Sequence, residues 1–141
     1  MKVFNAWFGA VAVFIALLIG LALPCAFAQD NSKPGDDFIK LLDAKQYAQS
    51  WDVASDYFKQ AVSRSEWEKQ VKQVREPLGS VVVRSMKKSE PQKNPPGAPP
   101  GDYLLLTFDT KFADSEPART ETLPLIKGAD GRWRAVGYFI R

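Results

Sequence analysis

The sequence predicts an α+β fold in which N-terminal helices pack on a curved, four-stranded antiparallel sheet. Two observations predict it. Up to Gly79 the apolar residues recur every three or four positions, the period of a helix face. After Gly79 they recur every second position, the period of a strand. Helices first and strands afterwards is the segregated order of α+β proteins, not the alternation of a parallel sheet.

The elements follow in chain order. Asp36 and Asp37 put negative charge in a first turn, and Phe38, Leu41 and Leu42 form a short apolar face behind them. The phase then slips, which predicts a break over 43–46. Tyr47, Trp51, Ala54, Phe58 and Ala61 make one stripe, read as a single second helix ending near Val62. Ser63-x-x-Glu66 and Ser65-x-x-Glu68 both fit a capping box, so one of them starts a third helix. That helix carries Trp67, Val71, Val74 and Leu78 and stops at Pro77 and Gly79. Strands are predicted over 80–88, 103–112, 119–127 and 132–141, with Leu104, Leu106, Phe108 and Phe112 on one face of the second. Gly128-Ala129-Asp130-Gly131 is a hairpin turn between the last two. Pro124 cannot donate to a ladder, so the third strand must bulge there or lack a neighbour; Gly137 marks a bend in the fourth. The segment 90–101, rich in proline and glycine, is read as a long loop joining the first two strands. Pro96-x-x-Pro99 within it also fits a polyproline ligand.

The N-terminus has the pattern of an export signal. Lys2 is the only charge before Asp30, Ala6 to Leu23 is apolar apart from two glycines, and Pro24 precedes Ala26-Phe27-Ala28, small residues at both ends of a cleavage site. The domain reading is therefore a secretory signal peptide over 1–28, a polar leader over 29–35, and one α+β domain over 36–141 containing the Pro-rich loop 90–101. An uncleaved membrane anchor and lipoprotein processing at Cys25 are the alternatives. Cleavage removes Cys25, the only cysteine, so the mature chain of about 110 residues is held by its core with no disulfide.

Composition narrows the chemistry. A net charge of +3 with scattered Lys and Arg does not suit nucleic acid. With no histidine anywhere and no cysteine after cleavage, the common zinc ligands and the His-dependent nucleophile arrangements are excluded. No glycine-rich phosphate loop is present. Asp52 and Asp56 share a helix face at i and i+4, which reads as a solvated face ahead of a thin metal site. No metal, cofactor or catalytic residue is therefore assigned. Asp with Tyr in an apolar pocket can still move a proton beside a carbonyl, and Asp109 and Tyr138 are the pair able to meet. Trp51, Trp67 and Trp133 are candidates to line a ligand pocket, with core packing the competing reading. The candidate ligand-binding residues are Trp51, Asp109, Trp133 and Tyr138.

As a set, the residues resemble a family of small secreted bacterial proteins known only as a domain of unknown function, number 4019. The resemblance rests on Asp43-Ala44 with Tyr47 and Ser50-Trp51; Val62-Ser63 with Trp67; Arg75 with Pro77-Leu78-Gly79; Phe108-Asp109-Thr110 with Phe112; Glu121-Thr122; and the closing Gly131, Trp133-Arg134, Gly137-Tyr138 and Ile140-Arg141. The Pro-rich loop departs from the family pattern, and so does Lys45, where the family often carries glycine. The resemblance implies a cystatin-like or nuclear-transport-factor-two-like cone and brings no activity with it.

The resulting expectation is an exported, periplasmic or secreted protein of the bacterial envelope. It acts as a non-catalytic module that binds a protein or small ligand, with no nucleic acid and no stable membrane span after cleavage. The alternative is an isomerase or cyclase using Asp and Tyr inside the cone. Export has a direct test: the protein isolated from an envelope fraction should begin at Gln29 and contain no thiol. A retained Met1, or a lipid on Cys25, would sink the cleavage reading.

Overall fold

The computed structural model describes residues 33–141. The signal-peptide reading of 1–28 and the first part of the polar leader, 29–32, lie outside the described residues. Among the described residues four helices come first: α1 (Asp36–Asp43), α2 (Tyr47–Asp52), α3 (Asp56–Ala61) and α4 (Arg64–Arg75), the last running into a 3-10 turn at Glu76–Leu78. Five strands follow: β1 (Val81–Lys93), β2 (Asp102–Phe112), β3 (Ser115–Lys127), β4 (Trp133–Ala135) and β5 (Phe139–Ile140). They form one antiparallel sheet in the order β1-β2-β3-β4, with β5 also pairing with β3. This is the α+β architecture the periodicities predict.

The helices cover one face of the sheet. Phe38, Ile39 and Leu42 of α1, Tyr47 and Phe58 of α2 and α3, and Trp67 and Val71 of α4 share a core with Leu106 and Phe108 of β2, Leu123 and Leu125 of β3, and Ala135 of β4. Trp67 lies between Phe38, ring centroids 6.0 Å apart, and Phe58, 5.0 Å apart edge to face. Its indole N–H donates to the Ser50 hydroxyl at 2.9 Å, which ties α4 to α2 below the surface.

The break predicted over 43–46 is present and has a defined geometry. The Gln46 amide donates to the Leu41 carbonyl at 2.8 Å and the Lys45 amide to the Leu42 carbonyl at 3.1 Å. This is a Schellman ending, and Lys45 takes the left-handed position with φ 58. Glycine adopts that conformation without steric cost, whereas a lysine there bears some strain.

Several elements differ from their sequence-based outlines. The stripe helix predicted from Tyr47 to Val62 is two short helices. Ser55 breaks it by taking an extended conformation and capping α3, its hydroxyl accepting from the Phe58 amide at 3.1 Å, while its own amide donates to the Ala135 carbonyl of β4 at 2.9 Å. The spacing survives across the kink, so the sequence pattern alone does not reveal it. Asp52 and Asp56 consequently sit on different helices, and Asp52 pairs with Arg64 at 2.8 Å. Ser63 is the working cap of the two candidates, with the full capping box to Glu66. On α4 the buried face is Trp67, Val71 and Arg75, whereas Val74 is exposed.

In the sheet, β1 runs on to Lys93 through the first third of the predicted loop, which shrinks to 94–101. Pro91 is tolerated there because β1 is an edge strand and its missing N–H has no ladder partner to lose. The Pro-rich remainder closes in a turn, with the Ala98 amide donating to the Pro95 carbonyl at 3.3 Å and Gly97 at φ 81. Pro96-x-x-Pro99 is therefore bent and does not present an extended polyproline face. β3 begins at Ser115, four residues before its predicted start. The predicted fourth strand divides into β4 and β5 at a bulge over Val136–Tyr138, opposite Leu123 and Pro124. Gly137 sits in this bulge because a Cβ there would stand 3.1 Å from the Phe139 ring.

The packing predicts which tryptophan holds the fold. Trp67 is 5% exposed, whereas Trp51 is half-buried at the core's edge with its indole N–H on the Val62 carbonyl at 2.9 Å. Trp67→Ala should cost about 3–5 kcal/mol, from a total of about 5–15 kcal/mol for such a domain. Thermal melts should show a fall of well over ten degrees or loss of the transition. Trp51→Ala should cost distinctly less. An equal loss for the two would contradict the marginal place of Trp51 in the core.

Candidate functional site

The alternation along β3 places residues 121, 123 and 125 toward the helices. Two of them are the leucines of the core, and the third is Glu121, with 0% of its surface exposed. The 3.6 period along α4 does the same: Trp67 and Val71 are followed on their face by Arg75, which is 5% exposed. Along β2, Thr110 continues the inward row of Leu106 and Phe108 and is 0% exposed. Three polar side chains thus occupy apolar positions of three elements. They meet Arg84 of β1, Asp43 at the end of α1, and Tyr138 in the bulge between β4 and β5.

Every member is bonded. Glu121 Oε1 accepts from Arg75 Nη1 at 3.0 Å, from Arg84 Nη2 at 3.1 Å and from the Tyr138 hydroxyl. Its Oε2 accepts from Arg84 Nε at 2.5 Å and from the Thr110 hydroxyl. Asp43 Oδ1 accepts from Arg75 Nη2 at 2.6 Å and Arg84 Nη2 at 2.9 Å, and its Oδ2 from Arg84 Nη1 at 2.7 Å. Arg75 Nη1 also donates to the Tyr138 oxygen at 2.8 Å, and its guanidinium lies 5.2 Å from the Phe112 ring centroid. Two guanidinium groups face two carboxylates, so the cluster is neutral. Among the described residues no buried side-chain nitrogen or oxygen lacks a partner.

The electrostatics follow from this packing. Burial opposes the charge on Asp43, but the hydrogen bonds and charges of Arg84 and Arg75 outweigh it and hold the carboxyl below its ordinary 3.8. Burial likewise opposes the charges of Arg75 and Arg84, and their anionic partners more than restore them. Burial raises the Tyr138 hydroxyl well above its ordinary 10.0, and the Glu121 charge raises it further while Arg75 pulls the other way. Tyr138 is thus a fixed hydrogen-bond donor at neutral pH.

The four sequence candidates do not converge. Tyr138 is in the cluster. Asp109 faces the opposite side of the sheet, its carboxylate 3.1 Å from Lys87 Nζ on the surface, so the acid that meets Tyr138 is Glu121. Trp51 sits at the margin of the core. Trp133 stands at a groove of about 340 Å³ with Tyr103, Pro91, Asp102 and Lys127, and Lys127 Nζ lies 5.8 Å from its ring centroid. Sequence reasoning missed Asp43, Arg75, Arg84 and Glu121 as a unit. The available signal was a charged residue in phase with an apolar row, Arg75 after Val71 and Glu121 before Leu123. Among the described residues no group of three or more His, Cys, Asp or Glu could hold a metal ion, and no helix is long and apolar enough to cross a membrane.

Fold and site define a small α+β protein whose helices are fastened to its sheet by a buried, neutral acid–arginine–tyrosine cluster. The chain belongs to the family described as protein of unknown function (DUF4019), whose model matches residues 35–138. No curated protein matches it. Among solved structures it is similar to a protein from Catenulispora acidiphila, with 14% identity and a TM-score of 0.46 over 74% of this chain and 83% of the other. It is also similar to ActVI-ORFA from Streptomyces coelicolor, with 12% identity and a TM-score of 0.44 over 74% of this chain and 88% of the other.

The cluster predicts a loss of stability at both ends of the pH scale. Below 3.8 the unfolded chain takes up a proton at Asp43 while the folded protein resists it. Stability from this group is therefore complete above 3.8 and drains away as pH falls toward the lower folded value. Above 10.0 the unfolded chain loses the Tyr138 proton while the folded protein keeps it, so stability falls as pH rises. Urea titrations across pH should show Asp43→Asn flattening the acid limb. Tyr138→Phe should reduce the alkaline limb without abolishing it, because burial also raises the Tyr47 and Tyr103 hydroxyls. Unchanged limbs would contradict the bonding described above. Glu121→Ala leaves two guanidinium groups with Asp43 as their one anionic partner, so one buried positive charge is unbalanced, and should cost about 3–5 kcal/mol.

Proposed function

We propose that the protein is an exported, non-catalytic binding module of the bacterial cell envelope, with Trp133 at its ligand contact. The observation that carries the reading is the state of the Glu121–Tyr138 pair. A general base must offer a free lone pair to a substrate within reach. Both oxygens of Glu121 are taken by donors from four side chains, and the residue has no exposed surface. The isomerase alternative needs an accessible acid beside a tyrosine; Asp109 is accessible but lies on the other face of the sheet, paired with Lys87.

Binding is supported by the groove at Trp133. An indole ring, the Tyr103 edge and Pro91 supply apolar contact, and Asp102, Lys93 and Lys127 surround them with charge. A largely apolar wall with a few polar groups is the usual make-up of a small-molecule site. Export is supported by the apolar segment 6–23 and the small residues Ala26 and Ala28.

Native mass spectrometry of the protein isolated from the envelope tests the reading. A bound species should travel with the wild type and be lost or weakened about tenfold or more by Trp133→Ala. Lys127→Ala, a surface change that leaves the core alone, should weaken it less. Turnover of a carbonyl substrate that disappears in Tyr138→Phe while the fold persists would overturn the non-catalytic assignment.

A further inference from the structure

The neutral cluster is built in two layers. Glu121 is the deep one. It has no exposed surface and it neutralises one of the two guanidinium charges. The other positive charge is balanced by Asp43, whose side chain stands at the solvent boundary, 32% exposed. Arg84 presents its two terminal nitrogens to Asp43 as a fork, Nη1 to Oδ2 at 2.7 Å and Nη2 to Oδ1 at 2.9 Å, and Arg75 adds Nη2 to Oδ1 at 2.6 Å. That is the geometry in which an arginine holds any planar carboxylate. Both guanidinium groups are held from below by Glu121, so the fork keeps its position whatever occupies it.

Asp43 is an occupant that can leave. It is the last residue of α1, where the unpaired carbonyls already carry partial negative charge and a carboxylate is disfavoured. The arginines, not the helix, keep it there. The helix in turn does not depend on Asp43 for its seat, because Phe38 and Leu42, 3% and 1% exposed, anchor α1 in the core. Turning the Asp43 side chain outward requires rotation about its own bonds and no displacement of α1. An aspartate side chain ends in the same group as acetate, so the space it vacates fits an acid of that size.

We infer that Arg75 and Arg84 form a binding site for a small monocarboxylate of formate or acetate size, which the chain's own Asp43 fills when no such ligand is present. The site is separate from the groove at Trp133 and does not depend on that groove's role.

The test uses sodium acetate against sodium chloride at equal ionic strength, at neutral pH. Thermal melts of Asp43→Ala should start below those of the wild type and rise saturably by several degrees with acetate but not with chloride. Adding Arg84→Gln to Asp43→Ala should abolish the acetate response. In the wild type, acetate should shift the amide resonances of residues 43–46 and the Arg84 Nε–H signal saturably, at higher concentration than in Asp43→Asn, whose neutral amide competes less well. If Asp43→Ala does not fold in chloride, recovery of folded protein in acetate alone supports the site, and recovery in neither salt overturns it. Equal responses to the two salts overturn it as well. A response in Asp43→Ala with none in the wild type overturns the claim that Asp43 gives way.

Discussion

The carboxylate of Glu121 accepts hydrogen bonds from Arg75, Arg84, Thr110 and Tyr138 in a place with no access to water. A carboxylate taken out of water is tolerated only when its lone pairs are filled and its charge is matched. Four side chains from α4, β1, β2 and the bulge before β5 supply the donors, and the second guanidinium then needs Asp43 from α1. The requirement of one buried charge therefore sets the relative positions of the four segments that supply its donors. A leucine at 121 would fill the same row of β3 and impose no such condition.

This gives the cluster a role different from that of the apolar core. Replacing a whole buried ion cluster by well-packed apolar residues is often neutral for stability, whereas removing one partner is strongly destabilising. Its members are accordingly interdependent, and what they contribute is the choice among packings. The helices offer the sheet short apolar faces, and α2 and α3 have only six residues each. Faces so short can slide with little loss of buried area. A network of directional bonds, some of them forked, admits one register. No cysteine lies among the described residues, so no disulfide shares this task.

The C-terminal bulge is the backbone device that completes the cluster. In a regular strand the residues after Ala135 would continue the ladder with β3. Instead Pro124 offers no N–H, the Val136 amide donates to the Pro124 carbonyl at 2.9 Å, and the chain takes an additional residue before pairing resumes at Phe139. Tyr138 enters the interior from this irregularity, its ring 6.4 Å from that of Phe38 and its hydroxyl on Glu121. At the other side of the sheet, β1 is the edge strand among the described residues, and its Lys87, Lys88 and Pro91 together with two register shifts are features that discourage pairing with another chain.

Periodicity carried most of the architecture. The change from 3.6 to 2 after Gly79, a capping box at Ser63 or Ser65, the Gly128–Gly131 turn and the trouble at Pro124 and Gly137 were all legible, because each is a local rule acting over a few residues. The kink at Ser55 was not. Its stripe keeps helical spacing on both sides, and what breaks it is a bond to Ala135, eighty positions away in sequence. The cluster was hidden for a related reason. Glu121 and Arg75 each stand in phase with an apolar row, which by sequence reads as a polar residue near the end of an element. Only the tertiary fold brings Asp43, Arg75, Arg84, Glu121 and Tyr138 to one point. A charge becomes buried or exposed according to partners that lie up to 63 residues apart along the chain, and no local pattern encodes that distance.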